Sequence, residues 1–245
     1  MASRESSSSN WAVEIQGLTK SFGPRTALRG IDLRITAGNS VAIFGPNGAG
    51  KTTLIKILAT ILKPSSGKIR LGGRDIQKNT EEIRRLVGVI THQTFLYSNL
   101  TAYENLDFYS RMFDVPHRRE RIHEVLNIVG IPSRIHDRVG TLSRGTQQRI
   151  SIARLLLSKP RIILLDEPET GLDQQATALL WNALRLEGEE QYTIIHTTHN
   201  LARGFETCDR MLILARGEIV FDRERSSMDL TDLTQAYQHF IEVTS

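Results

Sequence analysis

The chain has 245 residues and a mass of 27.6 kDa, room for one large domain or two small intertwined ones and a core that needs no staples. Hydrophobic residues at 40% and charged residues at 24% describe an ordinary globular protein, and a single cysteine, Cys208, excludes an internal disulfide and fits a reducing compartment. The balance of 31 basic and 27 acidic residues leaves a mild +4, and the apolar runs are a handful of residues where a membrane-spanning helix needs about 20.

In chain order, residues 1–10 are polar and serine-rich and read as a disordered tail without the apolar core of a secretion signal. Residues 13–18 and 28–35 read as short strands around a turn at Ser21-Phe22-Gly23-Pro24. Residues 40–44 are β-prone and run into a glycine-rich loop. Leu54, Ile55, Ile57, Leu58, Ile61 and Leu62 then follow at helical spacing, and Lys63-Pro64-Ser65-Ser66-Gly67 stops the helix. Thr101 and Glu104 form a capping box for a helix reaching about Phe113. A second helix is expected over 118–129, and a third over 142–157 with Ser143 as N-cap. Residues 161–165 and 193–197 lack polar alternation and read as central parallel strands, with a helix over 174–186 between them. Residues 211–215 and 218–222 form a hairpin around Gly217, and a helix closes the chain at about 231–243. The order is that of an α/β core with a helical insertion at about 95–158.

Some residues carry plain structural expectations. Arg118, Arg119 and Arg121 are the densest basic cluster. With Glu120 among them and no interleaved aromatics they read as a solvated helix face, so no nucleic-acid partner is expected. Arg203 and Arg210 are assigned to the surface, His92 and His196 to structure, Trp181 to the apolar face of its helix and Cys208 to packing.

Gly45-Pro46-Asn47-Gly48-Ala49-Gly50-Lys51-Thr52, followed by Thr53, satisfies the phosphate-loop pattern, with a strand before it and a periodic helix after it. The glycines let backbone N–H groups turn inward onto an anion, and the helix points its positive end at the same spot. Lys51 can reach the β and γ phosphates, and the Thr52 hydroxyl can take one Mg²⁺ position, so the chain is expected to bind a nucleoside triphosphate. Asp166 and Glu167 end an apolar strand, where open α/β sheets bind ligands. Asp166 there can hold Mg²⁺, and Glu167 can act as general base on the attacking water.

Leu142-Ser143-Arg144-Gly145-Thr146-Gln147-Gln148-Arg149 resembles the Leu-Ser-Gly-Gly-Gln signature of ATP-binding cassette (ABC) proteins, with Ser143 standing 23 residues before Asp166. It departs from that signature at Arg144 and Thr146. The resemblance spans residues 12–222 and implies a P-loop NTPase (RecA-like) core with an antiparallel β subdomain and a helical ABC-specific subdomain. The cassette would fill 11–225, followed by a helical extension at 226–245. It also implies roles: Phe22 as the adenine-stacking aromatic, Gln93 as sensor of Mg²⁺ and the γ-phosphate, Gly171-Leu172-Asp173 as the loop crossing the dimer interface, and His199 as the switch histidine. Ser143 and Gly145 would meet the phosphate loop of a second, identical cassette across two ATP molecules. Transmembrane permease subunits would hold the chain peripherally at the cytoplasmic face of the membrane, docking near Gln93.

Residues 88–97 and 100–106, the variant signature with Arg144 and residues 199–210 look like the haem-exporter ATPases of cytochrome c maturation, which makes haem export the expected use. The alternatives are another exporter ATPase of drug or polysaccharide type and a non-transport cassette of the iron–sulfur assembly type. A small-molecule kinase would have no reason to carry the signature or the switch histidine.

Overall fold

Burial sorts the strands into two sheets. The computed structural model describes residues 10–91, 93–168, 174–186 and 192–242. Strands β1 (Trp11–Phe22), β2 (Arg25–Thr36), β4 (Ser66–Leu71) and β5 (Arg74–Asp75) form an antiparallel sheet in the order β2-β1-β4-β5. The second sheet holds β3 (Ser40–Phe44), β6 (Val87–Ile90), β7 (Ile162–Asp166), β8 (Thr193–Thr197), β9 (Arg210–Ala215) and β10 (Glu218–Glu224). Its order is β10-β9-β3-β8-β7-β6, parallel throughout except for the β9–β10 hairpin. Every residue of β3, β7 and β8 is buried, as the unbroken apolar runs require of strands covered on both faces.

The two faces divide the helices. The face showing Val41, Ile43, Ile162 and Leu164 packs on α1 (Lys51–Leu58) and on the antiparallel sheet. Ile163, Leu165 and Ile194 pack towards α3 (Ala102–Met112), α4 (Arg118–Ile128), α5 (Arg144–Leu157) and α6 (Gln174–Leu186). Ala42, Phe44, Cys208, Met211 and Ile213 lie under α7 (Leu201–Thr207) and α8 (Leu230–Glu242). Helix α7 sits so close to the sheet that a Cβ on Gly204 would come within 2.5 Å of the Phe44 ring.

The expected α/β core, the helical insertion and the capping box of α3 are all present. The antiparallel strands run longer than the sequence suggests, twelve residues each for β1 and β2. Between 66 and 90 lie elements that periodicity did not announce: β4, β5, the two-turn helix α2 (Thr80–Leu86) and β6. They are short, and α2 buries only Ile83.

Two arginines are corrected. Arg121 is buried at 6% exposure, not on a solvated face; its Nη2 donates to the Leu156 carbonyl at 2.6 Å and its Nη1 pairs with Glu124 at 2.9 Å, tying α4 to the end of α5. Arg210 is more than surface: its side chain is 21% exposed, it grips Asp222 with two donors and gives a third hydrogen bond to the Arg34 carbonyl at 2.7 Å, joining both sheets. Trp181, His196 and Cys208 are buried as expected, whereas His92 and Gly171-Leu172-Asp173 lie outside the described residues.

Candidate active site

The loops after β3, β7 and β8, three adjacent parallel strands, come together at one edge of the sheet. The loop after β3 carries the phosphate-binding pattern, and its glycines are required by their surroundings. A Cβ at Gly45, where φ is 152°, would stand 2.1 Å from the Leu214 carbonyl oxygen; one at Gly50, where φ is 113°, would meet the Ala27 carbonyl oxygen at 2.7 Å. The loop is thus clamped between β2 and β9 and leads directly into α1.

Lys51 is 4% exposed. Its Nζ donates to the carbonyls of Gly45 at 2.7 Å and Pro46 at 3.2 Å and lies 3.4 Å from Glu167 Oε1. Burial pushes its pKa below the usual lysine value, and the carboxylates of Glu167 and Asp166 oppose that shift. The Thr52 hydroxyl donates to Asp166 Oδ1 at 3.2 Å, and the same oxygen accepts from Thr197 Oγ1 at 2.8 Å. Glu167 sits at φ 48°, a left-handed conformation uncommon for a side-chain-bearing residue, held by its N–H donating to the Thr197 carbonyl at 3.0 Å. Its carboxylate meets His199 Nε2 at 2.7 Å. Lysine, threonine, two carboxylates and the histidine therefore form one connected cluster.

A cleft of about 400 Å³ opens over this cluster, lined by Phe22, Arg25, Ala27, Pro46, Asn47, Gly48, Gly50, Lys51, Thr52, Thr53 and Glu167. Phe22 is 49% exposed on one wall, with Lys20 Nζ 4.9 Å from its ring centre. Ala49 is buried beneath the loop, and its carbonyl accepts from the Gly217 N–H at 3.0 Å.

Three expected residues stand apart from both the phosphate loop and the cluster. Gln93 is exposed after β6, where its N–H donates to Thr91 Oγ1 at 3.0 Å. Ser143 caps α5 and accepts from the Thr146 N–H at 3.3 Å, and the Thr146 hydroxyl, standing where the signature has glutamine, lies 2.9 Å from Ser143 Oγ. Gly145 occupies the same first turn. Sequence reasoning gave no role to Thr197, which orients both acidic residues, or to Arg25 on the cleft wall. A threonine inside a strand and an arginine at the start of one carry no pattern of their own.

A family model described as ABC transporter matches residues 28–170, more than half of the chain. The chain belongs to the ABC transporter family. It is 33% identical over 210 residues to the linearmycin resistance ATP-binding protein LnrL of Bacillus subtilis (strain 168), covering 85% of this chain and 68% of that protein. With the Nod factor export ATP-binding protein I of Rhizobium sp. (strain N33) it shares 34% over 208 residues, covering 84% of this chain and 68% of that one. An ATP-binding subunit of an ABC transporter superposes with a TM-score of 0.84 at 25% identity, over 93% of this chain and 99% of that one. A dimeric cassette solved in a post-hydrolysis state with ADP and Pi superposes with a TM-score of 0.77 at 28% identity, over 87% and 98%.

The chain is the ATP-hydrolysing subunit of an ABC transporter, a class that dimerises and works with transmembrane permease partners. Among the described residues no helix is long and apolar enough to cross a membrane. The haem-specific expectation has no counterpart in these relatives' names, which fit the exporter alternative better.

Proposed function

We propose that this cassette powers an exporter of the drug-resistance type. The observation that carries the reading is the pair of features together: a complete phosphate-loop cluster, and relatives named for linearmycin resistance and Nod factor export.

In this reading ATP enters the cleft with its adenine against Phe22 and its phosphates over the N–H groups of residues 45–53. Lys51 exchanges its carbonyl and Glu167 contacts for the β and γ phosphates. Support comes from its burial: a desolvated ammonium held by neutral carbonyls gains from an arriving anion. Thr52 and Asp166 set two hard oxygens side by side, a donor pair that suits Mg²⁺, with Gln93 as the further ligand. The ion would neutralise charge on the β and γ phosphate oxygens. Glu167 acts as general base on the attacking water, and His199, already in contact with that carboxylate, senses the γ-phosphate. Ser143 and Gly145 close over the nucleotide of a second, identical cassette, which accounts for their place outside the cleft of a single chain.

A second cleft, about 330 Å³, lies where the sheet meets the helical subdomain, with Phe95, Tyr109 and Met112 on one side and Ile61 and Val89 on the other. It stands just past Gln93, and its exposed apolar rim suits a cytoplasmic segment of the permease; the cassette would so be held at the cytoplasmic face of the membrane.

Deleting the gene in its native host tests the export reading against the haem reading. Hypersensitivity to amphiphilic antibiotics with normal haem-stained c-type cytochromes is expected. Loss of the cytochromes with unchanged susceptibility would overturn the proposal in favour of haem export.

A further inference from the structure

The groove just described contains a charge that the chain itself does not answer. Among the described residues its lining includes two cations, Arg84 and Arg154, and no carboxylate. Arg84 is exposed at the rim and donates to Thr60 Oγ1 at 2.9 Å. Arg154 lies deeper. Its Nη2 donates to the Val89 carbonyl at 3.0 Å, and its guanidinium carbon stands 5.7 Å and 5.2 Å from the ring centres of Phe95 and Tyr109. Its Nε is buried with no hydrogen-bond partner, and no described carboxylate lies within ion-pair distance.

An arginine cannot shed its proton to escape burial, and the ring faces offset only part of the lost hydration. Burial does lower its pKa, with the Tyr109 phenol beside it acting against that shift and no carboxylate doing so. Tyr109, whose hydroxyl donates to the Phe95 carbonyl, fixes the aromatic wall beside it, so the guanidinium is held in place. Around this charge the apolar rim is open, with Ile61 at 62%, Phe95 at 43% and Met112 at 50% exposure. A small anion would satisfy the charge and leave those three side chains in water. A purely apolar segment would cover them and bury the charge further. A basic segment would be repelled by both arginines.

We propose that the permease segment seated in this groove carries a carboxylate side chain that pairs with Arg154, while its apolar residues cover Ile61, Phe95 and Met112. The inference rests on the groove being the permease-docking site. It adds a selection rule, because a segment of the same shape with a neutral or basic residue at that point would be rejected.

The test uses the full chain in its native host with a photo-crosslinking amino acid replacing Ile61, and the cross-linked peptide is sequenced by mass spectrometry. The expected peptide is a cytoplasmic loop of a multi-span membrane protein with Asp or Glu within one helical turn of the link. Arg154→Glu should then cut the cross-link yield by roughly tenfold or more, and reversing that permease carboxylate to arginine should restore it. If Arg154→Glu fails to fold, judged by its melting curve, Arg154→Met takes its place, with the same loss expected. A cross-linked membrane loop without an acidic residue, or an unchanged yield in Arg154→Met, would overturn the pairing alone. A link to a protein with no membrane span would overturn the docking reading beneath it.

Discussion

Lys51 and Thr52 open α1, Asp166 ends β7, and Glu167 and His199 follow β7 and β8; distant in sequence, they join through contacts of 2.7 to 3.4 Å. Thr197 does much of the joining, since its hydroxyl holds Asp166 and its carbonyl holds the Glu167 N–H. The signature departures also act at single residues. Thr146 ties its hydroxyl to Ser143 at the start of α5, and Arg144 opens the same turn. In the proposed head-to-tail dimer a guanidinium there would face the neighbouring cassette's γ-phosphate, so Arg144→Gly should raise the KM for ATP about three- to tenfold. Steady-state ATPase assays at saturating Mg²⁺ check this, and an unchanged KM removes Arg144 from the nucleotide site. Cys208 gives a pH prediction. Burial pushes its thiol up to about 12, whereas an unfolded cysteine ionises near 8.5. Over that interval the folded chain keeps a proton that the unfolded chain gives up. The thiol's contribution is therefore intact below about 8.5 and falls as pH rises towards 12. Urea midpoints measured at pH 8 and pH 10 should fall further in the parent than in Cys208→Ala.

At the scale of elements, legibility in the sequence followed the strength of the local signal. The phosphate loop and α1 were readable because glycine spacing and helical periodicity coincide there. The capping box of α3 was readable because its two hydrogen bonds need Thr101 and Glu104 in that order. β4, β5, α2 and β6 were not, because partners from distant segments stabilise them: β4 pairs with β1, and β6 with β7. Arg121 was misread for a related reason, since its chief acceptor is the Leu156 carbonyl, 35 residues away. Asn105 is a further case. Its amide accepts from the Tyr97 N–H at 2.8 Å and donates to the carbonyls of Tyr97 and Thr101 at 3.0 and 2.9 Å, pinning the segment after Gln93 onto α3. Asn105→Ala removes all three of these part-buried hydrogen bonds. It should cost about 1–3 kcal/mol and lower Tm by several degrees in differential scanning calorimetry.

For the whole molecule, hydrolysis at the edge formed by the β3, β7 and β8 loops depends, in the proposed reading, on assembly. One chain places the phosphate loop and Glu167 in one cleft with His199 against Glu167, and keeps Ser143 and Gly145 outside it. In the proposed reading such a cassette would complete two sites by pairing head to tail, and a cassette 28% identical to this chain was solved as a dimer with ADP and Pi. The groove between sheet and helical subdomain would then carry that closure to the permease. The family and the chemistry were legible from the motifs, whereas the transported molecule was not, because no element of this chain has a reason to touch it. The most direct measurement is light scattering on Glu167→Gln with and without ATP, beside its ATPase rate. Loss of the general base should cut turnover by about 10²- to 10⁴-fold and leave an ATP-dependent dimer. A Glu167→Gln protein that binds ATP and stays monomeric, or that turns over at the parent rate, would contradict the account.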